Sequence, residues 1–168
     1  MLKYQLFPKT QPLTDQLLGV IEVFNAASNS IDSMSYKYSS NEVLKHVLPG
    51  LKKGGYNVEA GQKAADKILV PVFFGLNGKP EKSFNADAVS NNGEIVIEIE
   101  AGRAYTNHQF LKDIFQAAMM VDVKYLVIAV RNTYRLSDDF TKIYRFIDLM
   151  FSSDRIRLKL EGILLIGY

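Results

Sequence analysis

The chain has 168 residues, 48% apolar and 23% charged, with nine Tyr and ten Phe, which excludes a disordered chain and suits one globular domain with a sizeable core. Cys is absent and His46 and His108 are the only histidines, so disulfide scaffolds, thiolate chemistry and His-rich zinc sites are excluded. Lys plus Arg number 20 against 18 Asp plus Glu, a net charge of +2 that is low for a dedicated nucleic-acid binder, and with no 18-residue apolar run and no signal-like leader a cytoplasmic protein with no membrane partner is expected.

In chain order, residues 2–7 read as a short strand or a docked end. Thr14 caps a predicted helix running to about Ser28, with Leu17, Leu18, Ile21 and Phe24 on one face. Residues 25–39 are Ser/Asn-rich and read as loop. Ser39 and Glu42 have capping-box spacing and open a second helix, which Pro49-Gly50 is expected to break or kink and Gly54-Gly55 to end. Residues 56–59 read as extended; residues 60–67 carry no clear pattern. The period then becomes that of strands. Residues 68–74 form one, with Pro71 placing it at an edge or bulge. Residues 84–90 form the next, Asn91-Asn92-Gly93 a hairpin turn, and 94–101 the following strand. Thr106 and Gln109 have capping-box spacing before a helix to about Asp122. Residues 125–130 (YLVIAV) read as a central strand covered on both faces. Ser137 is placed to cap a helix carrying Phe140, Ile143, Tyr144, Ile147 and Phe151, and 158–166 reads as a last strand. The expected fold is α/β: a mixed central sheet flanked by helices on both faces, the strands at 94–101 and 125–130 parallel through a helical crossover.

The informative segment is Asp87, the turn, and Glu94-Ile95-Val96-Ile97-Glu98-Ile99-Glu100. Alternate strand residues share a face, so Ile95, Ile97 and Ile99 point into one core layer while Glu98 and Glu100 stand about 7 Å apart on the other. The hairpin brings Asp87 across from the Glu98 neighbourhood. Three carboxylates on one face repel one another. A hard cation neutralises such a cluster, and Mg²⁺ or Mn²⁺ takes oxygen ligands of this kind. The plainer reading is a half-solvated strand in which Glu alternates with Ile.

The spacing Asp87, ten residues, Glu98-Ile99-Glu100, followed by a helix and an apolar strand, resembles the core of the PD-(D/E)xK nuclease superfamily. It looks most like the BamHI-like restriction endonucleases, in which Glu replaces the final Lys. The resemblance covers roughly residues 39–130. It implies a restriction-endonuclease-like core and a divalent-metal-dependent DNA endonuclease acting on double-stranded DNA. In it Asp87 and Glu98 would be metal ligands with the Ile99 carbonyl, Glu100 would act on the attacking water, and Glu42 on the preceding helix would complete the catalytic set. Ala86 stands where the motif has Pro, and Glu100 where it has Lys. The alternative is a non-catalytic DNA-binding or interaction protein that keeps the nuclease fold.

Other residues have two readings each. Glu42 is equally a helix cap. Arg103 and His108 are candidates for DNA phosphate contacts or ordinary surface residues. Lys52, Lys53, Lys63 and Lys67 form a loose basic stretch near the expected site entrance. The apolar stripe 140–151 reads as core or as the face of a homodimer, since cutting both strands of a duplex suits a two-fold pair.

Overall fold

At the centre of the sheet lie three parallel strands with almost no polar residue between them. In the computed structural model, which describes every residue except 62, 64 and 65, these are β6 (Ile95–Glu100), β7 (Tyr125–Val130) and β8 (Gly162–Gly167). Ile97 pairs with Val127, and Val127 with Leu164. Branched aliphatics dominate because both faces are covered. β1 (Lys3–Phe7) adds antiparallel to β8 at one edge. On the other side β5 (Ala88–Ser90) adds antiparallel to β6, and β2 (Tyr56–Val58) antiparallel to β5. The six-stranded order is β1-β8-β7-β6-β5-β2. A separate hairpin pairs β3 (Ile68–Phe74) with β4 (Pro80–Ala86), its register shifting at Pro71 and Phe73.

Side-chain alternation builds two cores back to back. Ile95, Ile97, Ile99, Val127 and Leu164 face α1 (Asp15–Ile31) and α2 (Ser40–Lys53). Val96, Leu126, Ile128 and Leu165 face α3 (Gln109–Met119) and α4 (Asp139–Ser153). The fold is therefore α/β, a mixed sheet with helices on both faces. Among the described residues no helix is long and apolar enough to cross a membrane.

Several local expectations are corrected. α1 runs to Ile31, past the expected end near Ser28, because Ile31 is buried in the same core as Leu17 and Phe24. α2 continues through Pro49 to Lys53; its Ser39–Glu42 capping box forms as expected. The Thr106–Gln109 box does not form: α3 starts at Gln109, and His108 precedes it in a left-handed conformation with no side-chain cap. Asp138, not Ser137, caps α4 by accepting the Thr141 N–H at 2.9 Å. The strand expected at 84–90 divides at Asp87 into β4 and β5. The last strand begins at Gly162, later than expected. Of the α4 stripe, Phe140, Ile143 and Ile147 are buried and Tyr144 and Phe151 pack against the same core, so of its two readings the stripe takes the core one. Residues 60–67 include positions outside the described set.

Candidate active site

The β5–β6 hairpin sets the geometry. The Gly93 N–H donates to the Ser90 carbonyl at 2.8 Å, and Gly93 takes a positive φ that favours glycine. The Ser90 hydroxyl accepts the Ile95 N–H at 2.9 Å, fixing the register. Ala88 then opposes Ile97 and Val89 opposes Val96. Continued by one residue, the pairing sets Asp87 opposite Glu98, on the face that Val89 and Val96 share. Asp87 sits at the bend between β4 and β5. The Ile99 N–H donates to its Oδ2 at 2.8 Å. The carbonyl of a strand residue leaves on the same edge as its N–H, so the Ile99 carbonyl is directed toward the Asp87 side.

This face is not wet. Glu98 and Glu100 are only partly exposed beneath α3. Burial pushes the Asp87 carboxyl up to about 6, against the bond from Ile99; the charges of Glu59 and Asp113 add to the rise. Burial, then Asp87 and Asp113, hold Glu98 well above the ordinary range. Burial and the Asp113 charge push Glu100 up to about 8. Each shift comes first from burial, with neighbouring carboxylates adding to it.

Four partners were not legible as site residues. Asp113 on α3 is 2% exposed, hydrogen-bonds to Glu100, and leaves its Oδ2 buried with no partner. Lys112 Nζ lies 3.5 Å from Asp113 Oδ1. Glu59, just past β2 and 4% exposed, donates its N–H to the Asp87 carbonyl at 2.8 Å, and its carboxylate meets Lys67 Nζ at 2.6 Å. Lys67, expected only near the entrance, is thus inside the site. Asp113 carried a readable signal, since it falls on the buried stripe Phe110, Ile114, Ala117 of α3. Glu59 needed the β2–β5 pairing, which spacing does not reveal.

The carboxylates open on two recesses. Asp87 and Glu98 line a pocket of about 250 Å³ with Glu59, Lys67 and Lys112. Glu100 lines a larger cleft of about 910 Å³ beyond the ends of β6 and β7, with Glu42 and Arg103. Among the described residues no group of three or more His, Cys, Asp or Glu side chains stands arranged to hold a metal ion. Two of the carboxylates are held by internal bonds, Asp87 by Ile99 and Glu100 by Asp113. Glu42 is brought to the cleft, yet its carboxylate accepts the Ser39 N–H at 2.7 Å and the Ser39 hydroxyl at 2.8 Å, so it caps α2. Arg103 and His108 are exposed and line an adjoining recess together with Lys142. The carboxylate and carbonyl donors are all oxygen, a chemistry that suits hard divalent cations such as Mg²⁺ or Mn²⁺.

No protein-family model matches the chain, and no curated protein matches its sequence.

Proposed function

We propose that the chain is a divalent-metal-dependent endonuclease that hydrolyses phosphodiester bonds of DNA through a restriction-endonuclease-like core. The observation that carries this reading is that Asp87 and Glu98 line one pocket close enough for Asp87 to oppose Glu98 ionisation, with the Ile99 N–H bonded to Asp87. A buried acidic pair destabilises a fold unless a cation offsets it. The orphaned Asp113 Oδ2 and the burial that raises the Asp87 and Glu98 carboxyls support this reading, since a bound cation would stabilise their ionised forms. The order α2, β2, β3, β4, β5, β6, α3, β7 sets the acidic strand β6 before a helix and an apolar strand, which supports the resemblance.

A bound divalent cation would supply neutralisation of charge on the phosphoryl oxygens, with Asp87, Glu98 and the Ile99 carbonyl as the groups to hold it. Water attacks phosphorus in line while the bond to the leaving oxygen breaks. Glu100, facing the larger cleft, takes the proton of the attacking water when ionised, above its raised value of about 8, and solvent returns a proton to the leaving oxygen. Lys112 and Lys67 line the pocket of Asp87 and Glu98, and their ammonium groups favour an anionic substrate. Glu42 keeps to its cap.

The non-catalytic reading has one observation in its favour: Asp87 accepts the Ile99 N–H and Glu100 donates to Asp113 instead of standing open to a cation. Plasmid DNA incubated with Mg²⁺ or Mn²⁺ separates the two. Metal-dependent nicking that disappears in Glu98→Ala supports the nuclease; nicking undiminished in Glu98→Ala refutes the assignment. DNA retention without any nicking supports the non-catalytic alternative.

A further inference from the structure

We propose that the cleft beyond the carboxyl ends of β6 and β7 is a phosphate-binding site with Arg131 at its floor and Arg103 and Arg135 at its mouth. Its ligand is a backbone phosphate of the nucleic-acid strand, an assignment of source that rests on the nuclease reading above.

Arg131 follows β7 directly and is 9% exposed. A buried guanidinium ordinarily has a carboxylate, because the cost of desolvating the charge is otherwise unpaid. Among the described residues Arg131 makes no ion pair. It donates to the Tyr38 carbonyl and lies beside the Tyr168 hydroxyl, both neutral groups. One committed bond leaves most of its five N–H donors for another acceptor. Arg131 and Arg135 both lie over the Tyr134 ring, with guanidinium carbons 5.5 Å and 5.3 Å from its centroid. Stacking of this kind holds a guanidinium plane while leaving its edge open to bidentate contact with phosphate.

The cleft is built around that arrangement. Tyr134 packs so closely on Gly102 that a Cβ there would lie 2.8 Å from the ring, at a φ of +156°. The loops after β6 and β7 are thereby locked together. Lys37, Arg103, Arg131 and Arg135 line the cleft against two acids, Glu42 and Glu100. Crevices outside the carboxyl ends of parallel strands are where α/β sheets bind ligands. Glu100 lines the same cleft, so the phosphate site shares that one residue with the acidic cluster.

The test is an NMR titration in chelator, so that no cleavage occurs, following the arginine Nε–H signals. Arg131→Lys assigns its signal by its loss. The probes are inorganic phosphate and a 5′-phosphorylated thymidine dinucleotide. The expected result is a saturable shift of the Arg131 signal by the dinucleotide, with Kd weakened at least tenfold in the double variant Arg103→Gln/Arg135→Gln, both positions being exposed loop residues that the fold does not need. No shift, or an unchanged Kd in the double variant, overturns the site. A shift with phosphate but none with the dinucleotide overturns the nucleic-acid source. Plasmid nicking is read separately. Dinucleotide binding without nicking upholds this site and removes the nuclease reading; nicking with an unshifted Arg131 removes this site alone.

Discussion

Glu98 carries the largest electrostatic burden of any side chain in the site, since burial, Asp87 and Asp113 all oppose its ionisation. Glu98→Gln removes the charge and keeps the shape. In metal-free buffer at pH 8 this variant is expected to be more stable than the parent, on the order of 1–3 kcal/mol, by urea denaturation. The same change is expected to cost at least about a hundredfold in metal-dependent nicking, because a ligand is lost. A variant both less stable and fully active contradicts the role given to this residue. Glu42 has the opposite signature. Its carboxylate is held below the ordinary range by the Ser39 backbone N–H and hydroxyl. Glu42→Gln, which keeps an acceptor for the cap, is expected to leave nicking unchanged, and a collapse of activity would move Glu42 into the catalytic set.

At the scale of elements, the two loops at the ends of β6 and β7 depend on one glycine. Gly102→Ala is expected to cost about 1–3 kcal/mol by thermal denaturation, because its Cβ meets the Tyr134 ring. An unperturbed Tm would mean that the loops are not locked together. Ser39→Ala, which removes the cap of α2, is expected to cost about 1 kcal/mol. Much of this level was legible in the sequence. The Ser39–Glu42 box, the Asn91-Asn92-Gly93 turn and the apolar run at 125–130 each depend on contacts within a few residues or on a simple period. The start of α3 was not legible, because the backbone of His108 turns left-handed and overrides the capping spacing of Thr106. The paired faces of Asp87 and Glu98 followed from the hairpin and the alternation of strand side chains. The burial of that face did not, since it depends on α3 lying across it and placing Asp113 against Glu100.

For the whole molecule, the sign of the pH dependence follows from the raised carboxyls. Asp87 and Glu100 have ordinary values of 3.8 and 4.5 and folded values of about 6 and 8. Between these limits the folded chain binds more protons than the unfolded one, so stability falls as pH rises. The Tm of the metal-free protein is therefore expected to decrease from pH 5 to pH 8. Glu42 and Asp138, whose carboxyls are lowered, act below this window and do not reverse it. Since ligands must lose their protons, Mn²⁺ is expected to raise Tm more at pH 8 than at pH 5.5. A Tm that climbs steadily to pH 8 without metal would show that the cluster is not strained by its own charge. The most direct measurement is a calorimetric titration of Mn²⁺ into the parent and into Asp87→Asn at pH 7.5. Saturable binding by the parent that is lost in the variant is the predicted result; no heat from the parent, or equal heats from both, contradicts a cation held between Asp87 and Glu98.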